Sequence, residues 1–213
     1  MRPIRFNRVF QIIYPLTVYF VIYQLGAGLL IDAYGNRYGR LLCLLSAATI
    51  SIIPMTIIYR ASPRLVPEAI RNKRQVLIYL LYVILVVAVG IVTNIILTKS
   101  GIVARSSGFE KASSTLTDGS LLIKLLCNVI AVPILEELLV RGIVAGQLCL
   151  WYGPVISVVL SSICFGILHN NIVQFIYALI VGIALGVMYV KTKRLSLCML
   201  AHGLINLTVI LFS

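Results

Sequence analysis

With 213 residues, 61% of them hydrophobic and only 11% charged, the chain is far more apolar than soluble domains, which carry about 25% charged residues. A soluble fold of this size cannot hide so much apolar surface, so lipid must solvate part of it. The net charge of +12 does not indicate nucleic acid, because the basic residues sit in short clusters between apolar runs and form no stripe along a polar helix.

In chain order, Arg2, Arg5 and Arg8 precede a long apolar run. The run is too long for a cleavable signal peptide and no A-x-A-like site follows it, so it reads as a first membrane span. A helix needs about 20 residues to cross the hydrocarbon core. By that measure spans fall near 10–31, 41–59, 76–98, 121–149, 154–169, 172–190 and 195–212. The expected fold class is therefore all-α, a polytopic transmembrane helix bundle of about seven spans. Three regions are expected: a three-span N-terminal region (1–98), a polar loop (99–120) and a C-terminal helix bundle (121–213). The fourth span is overlong, which predicts tilting or a break, and the fifth is barely long enough to cross. No internal repeat of the kind that marks many transporters is visible.

Basic residues orient the bundle. With the N-terminus inside, cytoplasmic segments hold Arg2, Arg5, Arg8, Arg60, Arg64, Arg71, Lys73, Arg74, Lys191, Lys193 and Arg194. The outer loops hold Arg37, Arg40, Lys99, Arg105 and Lys111. The bias predicts a cytoplasmic N-terminus and an outer C-terminus; an even number of spans would put both ends inside. The short loops and small size fit an integral protein of a bacterial cell membrane, with the bilayer itself as a partner. Cys43, Cys127, Cys149, Cys164 and Cys198 are scattered through apolar segments with no Cys-x-x-Cys pair, so they read as small buried residues. Gly142/Gly146 and Gly182/Gly186 would let helices approach closely.

Of the six acidic residues, Glu136 and Glu137 lie well inside an apolar helix, after Pro133 and before Arg141. Each ionisable group at mid-membrane costs about 2.5–3.5 kcal/mol on insertion scales, and such groups mark functional sites by default. Glu137 and Arg141 are four apart in the favourable order for a helical ion pair. Glu136 points about 100° away around the helix and is left free for another task. Pro133 lacks a backbone donor and should kink the helix there.

The two histidines, His169 and His202, both belong to the same C-terminal half. Phe165 and His169 share a helix face, as do His202 and Asn206. Three helices thus each present a polar pair suited to catalysis. A carboxylate held out of water can take a proton near neutral pH, imidazole can share that task, and imidazole or an amide can donate to an oxyanion. These are the parts for hydrolysing an amide through activated water. No serine occupies a Gly-x-Ser-x-Gly turn, so a covalent route has little support. A divalent metal such as zinc is the competing chemistry, with Glu136, His169 and His202 as its ligands. There is no His-Glu-x-x-His helix, and metal-free action is favoured.

Glu136-Glu137-x-x-x-Arg141, Phe165-x-x-x-His169 and His202-x-x-x-Asn206, in this order on separate helices, resemble the motifs of the CPBP (Abi) intramembrane proteases, which include the type II CAAX prenyl endopeptidases. The resemblance covers about residues 120–212; the first three spans carry no signature. It implies that Glu136 activates water with help from His169, that His202 and Asn206 stabilise the oxyanion, and that Glu137, Arg141 and Phe165 support the site. It also implies a membrane-associated protein or peptide as substrate: a prenylated CAAX tail in the eukaryotic branch, peptide maturation or bacteriocin self-immunity among bacterial relatives. A non-catalytic membrane scaffold or immunity protein that binds a peptide or partner is the alternative; a proton-coupled transporter fits less well. One offset stands against convergence. Counting about 1.5 Å per residue puts His169 nearly 10 Å further out than Glu136 and His202, a gap that a tilted or broken helix has to close.

Overall fold

A computed structural model describes residues 7–102 and 106–212, the side chains of residues 111, 112 and 212 excepted. Arg2, Arg5 and Arg105, which enter the charge count above, lie outside the described residues, as does the side chain of Lys111. Eight helices and no strand occur among the described residues: α1 (Arg8–Tyr38), α2 (Arg40–Ala61), α3 (Lys73–Lys99), α4 (Ser107–Leu116), α5 (121–152), α6 (Pro154–Ile167), α7 (Ile172–Thr192) and α8 (Leu195–Phe212). The seven expected spans coincide with α1–α3 and α5–α8. The chain is an all-α membrane helix bundle. The eighth helix, α4, falls in the stretch read as a polar loop; the Ser106 side chain caps it by accepting from the Phe109 amide.

Four helices, α1, α2, α3 and α7, are long and apolar enough to cross a membrane. Their outward faces are apolar: Leu29 is 72% exposed, Ile53 64% and Leu85 61%, as expected of side chains solvated by lipid rather than water. α5 lies at the centre, packed against α1, α2, α6, α7 and α8. Every residue from 135 to 148 is buried, so this helix is covered all round by other helices.

α5 is not a regular α-helix. Wider π-helical turns run through Leu125–Ala131 and Leu138–Ala145, on either side of an α-helical segment Val132–Glu137. Pro133 has no N–H to donate to the carbonyl of Val129 four residues back, and single π turns of this kind are common at functional sites. The opened backbone is used by α8. A Cβ added to Gly203 would sit 2.5 Å from the Val129 carbonyl oxygen, so no residue larger than glycine fits. One turn on, the Asn206 amide donates to the Asn128 carbonyl at 2.8 Å.

The depth offset predicted for His169 is closed by α6. Its 14 residues rise about 21 Å, short of the roughly 30 Å hydrocarbon core. The helix ends at Ile167, and Asn170, with φ +55°, turns the chain into α7. Asparagine tolerates that left-handed conformation better than most residues. Asn171 then caps α7, accepting from the Gln174 amide at 2.9 Å. Counted from the α5–α6 turn, Glu136 and His169 each lie some 15 or 16 residues along, a rise of about 22–24 Å for both.

Candidate active site

The pair at 137 and 141 takes the predicted geometry. Arg141 Nη1 donates to Glu137 Oε1 at 3.0 Å, with both side chains 0% exposed. A second guanidinium nitrogen donates to the Gly182 carbonyl of α7 at 3.1 Å. Gly182 is small for a reason: a Cβ there would meet Ser162 of α6 at 3.2–3.3 Å. The guanidinium also stacks over the Phe165 ring, its carbon 4.6 Å from the ring centre, a cation–π contact strengthened by exclusion of water. One buried arginine thus joins α5, α6 and α7.

Glu137 carries a further bond that spacing alone did not predict. Its Oε1 also pairs with His202 Nδ1 at 2.9 Å. A carboxylate accepts, so Nδ1 carries the proton and donates, which fixes the ring and turns Nε2 toward Glu136. Nε2 and Glu136 Oε2 are 3.8 Å apart, beyond a direct hydrogen bond but within reach of a bridge through one water-sized group. The two adjacent glutamates therefore hold opposite edges of one imidazole.

His169 sits just past the end of α6, its Nδ1 2.9 Å from the Phe165 carbonyl oxygen, which leaves Nε2 for other partners. Phe165 lies edge-on between the two imidazoles, with ring centres 5.0 Å from His169 and 5.7 Å from His202. His202, not His169, is the imidazole within 4 Å of Glu136 among the described residues. Asn206 gives one N–H to the Asn128 carbonyl and keeps a second N–H and its carbonyl oxygen.

Glu136, Phe165, His169, His202 and Asn206 line a single cavity of about 740 Å³. Glu137 and Arg141 stand behind its wall, as supports rather than lining. Sequence reasoning missed the rest of the wall. α1 contributes Tyr19, Tyr23 and Gln24, α3 contributes Asn94, and α4 contributes Phe109 and Ser113. The Tyr19 hydroxyl interacts with the Glu136 carboxylate, and Gln24 donates to the Leu168 carbonyl at 2.7 Å, beside His169. The signal that would have found them is polarity: Gln24 and Asn94 are amides within otherwise apolar spans.

Among the described residues no three His, Cys, Asp or Glu side chains are grouped closely enough to hold a metal ion.

Comparison with known proteins places residues 118–208 in a match to the family model for type II CAAX prenyl endopeptidase Rce1-like proteins. A curated relative, "Putative membrane peptidase YdiL" of Bacillus subtilis (strain 168), is 30% identical over 79 residues, 37% of this chain and 32% of the relative. The match thus spans about a third of that relative's length. No solved structure matches. The matched stretch contains every candidate site residue, from Glu136 to Asn206, and it is this stretch that is similar to the type II CAAX prenyl endopeptidase Rce1-like family.

Proposed function

We propose that the protein is an intramembrane endopeptidase that cleaves a membrane-associated protein or peptide with a water activated by Glu136. The observation that carries this reading is the shared cavity: the Glu136 carboxylate, two imidazoles and an amide face one space inside an apolar bundle. In the proposed reaction Glu136 takes a proton from water, assisted by His169, which lines the same cavity. The hydroxide oxygen bonds to the scissile carbonyl carbon, and the carbonyl π pair becomes the oxyanion. His202, carrying protons on both ring nitrogens, donates Nδ1–H to Glu137 and Nε2–H to the oxyanion; the second Asn206 N–H is the other donor. When the carbonyl re-forms, the C–N bond breaks and the proton held by Glu136 passes to the leaving nitrogen.

Each part has an ordinary magnitude. A positioned general base contributes about 10²–10⁴-fold, and a single oxyanion donor about 10²–10³-fold. Glu137 and Arg141 act on this scheme through His202 and Phe165, so they are positioning residues.

The test compares peptide termini in membranes of cells expressing the parent chain or Glu136→Gln. Expected are termini present with the parent and missing with the variant, at equal amounts of inserted protein. Identical termini in the two samples would favour the scaffold reading, in which Glu136 has no chemical task.

A further inference from the structure

We propose that the end of the bundle built from the α2–α3 connection, the α5–α6 turn and the α7–α8 turn is a binding surface for anionic phospholipid headgroups, with Arg64, Lys193 and Arg194 at its centre. Binding of this kind is independent of the peptidase reading.

The sequence places basic residues in three separate stretches, and folding brings them together. Arg8 opens α1; Arg60, Arg64, Arg71, Lys73 and Arg74 lie in or beside the α2–α3 connection; Lys191, Lys193 and Arg194 flank the α7–α8 turn. The Arg8 guanidinium lies 5.7 Å from the Trp151 ring centre and 5.4 Å from that of Tyr152, at the end of α5. Arg64 crosses the same helix, its Cα 3.8 Å from where a Cβ on Gly146 would sit. Arg194 donates to the Glu68 carbonyl, which ties the α7–α8 turn to the α2–α3 connection. Glu68 is the one acidic residue in these stretches. Among the described residues no carboxylate forms an ion pair with any of these cations. Like charges gathered beside a low-dielectric bilayer repel one another, and an anion between them relieves that repulsion.

The cations are presented in a way that suits phosphate. The Arg64 guanidinium lies 5.3 Å from the Tyr59 ring centre, and that of Arg194 lies 5.3 Å from that of Tyr79. Stacking occupies the face of a guanidinium and leaves its in-plane N–H donors, whose fork matches the oxygens of a phosphate. Arg194 uses one terminal nitrogen on Glu68, and its Nε has no partner among the described residues. Lys193 occupies a left-handed position, φ +55°, where glycine would be unstrained. A lysine there gives up backbone ease for a charge.

The surroundings favour phosphate carried by a lipid. Residues 63–71 form no regular structure, and all but Leu65 are exposed. Leu65 packs against the buried core and so holds the segment down. Val66, Ile70 and Val155 are exposed aliphatic side chains set among the cations. A soluble anion would leave them in water, whereas headgroups above acyl chains match both kinds of side chain. Basic residues beside Trp and Tyr are also the usual composition of a membrane–water boundary. Either leaflet of an anionic bilayer can supply such headgroups.

The test titrates phosphatidylglycerol or phosphatidylcholine into the full chain in a neutral detergent and reads the melting temperature. A ligand that binds only the folded state raises it. Phosphatidylglycerol should give a saturable rise and phosphatidylcholine none. Arg64→Gln and Lys193→Gln should each raise the half-saturating concentration roughly fivefold, the equivalent of ~1 kcal/mol per basic residue at a membrane surface. Two single variants keep the test decisive where one of them fails to fold. Arg37→Gln and Lys99→Gln, at the opposite end of the bundle, should titrate as the parent does. Equal rises with both lipids, parent-like titration of Arg64→Gln and Lys193→Gln, or an equal loss in the opposite-end variants would overturn the proposal. A rise reproduced by inorganic phosphate alone would overturn the assignment to lipid.

Discussion

The first three helices and the last four are made of similar residues but use them differently. α1, α2 and α3 turn large aliphatic side chains such as Leu29, Ile53 and Leu85 to the lipid and carry no motif. α5 to α8 bury an arginine, a glutamate and a histidine in one hydrogen-bonded cluster, with a second glutamate, Glu136, 3.8 Å from the histidine. Buried charge is costly unless each group is paired, and here Arg141 and His202 both pair with Glu137 across α5 and α8. The comparison teaches that chemistry is concentrated in one half while containment is shared. The N-terminal helices close the cavity with Tyr19, Tyr23, Gln24 and Asn94, so the motif-bearing half is not the whole site.

This contrast can be broken by substitution. Arg141→Ala leaves Glu137 without its ion pair in a dry interior, and removing one partner of such a pair costs about 3–5 kcal/mol. Unfolding in detergent should show that loss, and a change well under 1 kcal/mol would mean the arginine is not the brace between α5, α6 and α7. Gly203→Ala forces a methyl against the Val129 carbonyl; overpacking of this kind costs about 1–3 kcal/mol. It should lower thermal stability and cleavage together, since α8 carries His202 and Asn206. An unchanged melting profile would show that α8 does not need to approach α5 so closely.

Smaller effects sharpen the contribution of the N-terminal half. Tyr19→Phe removes the hydroxyl that meets Glu136 and should cost about 0.5–1.5 kcal/mol at most. A changed cleavage rate with little change in stability would identify α1 as part of the working site; an unchanged rate would reduce it to a wall. Leu29→Val, on the lipid-facing surface, should stay within about 0.5 kcal/mol of the parent. A larger loss would indicate that this face packs against protein.

Much of this was legible in the sequence because polar residues are costly in a membrane and therefore stand out. Glu136, Glu137, Arg141, His169, His202 and Asn206 were each visible as a departure from an apolar background, and the spacing of 137 and 141 gave their pairing. Pro133 gave the break in α5. Three things were not legible. The bond from His202 to Glu137 depends on how α8 packs on α5, which no spacing within one helix encodes. The shared depth of His169 and Glu136 depends on where α6 stops, and a left-handed Asn170 sets that stop. α4 was hidden because Ser, Thr and Gly are as common in loops as in short surface helices.

The central claim is that Glu136, His169, His202 and Asn206 work on one bond as one unit. Residues acting as a unit lose activity non-additively. The most direct measurement is therefore the cleavage rate of Glu136→Gln, His169→Ala and the double variant, each checked for folding by its melting temperature. The account predicts that the double variant is no slower than the worse single one. A double loss equal to the product of the two single losses would show independent roles and contradict convergence on a shared water.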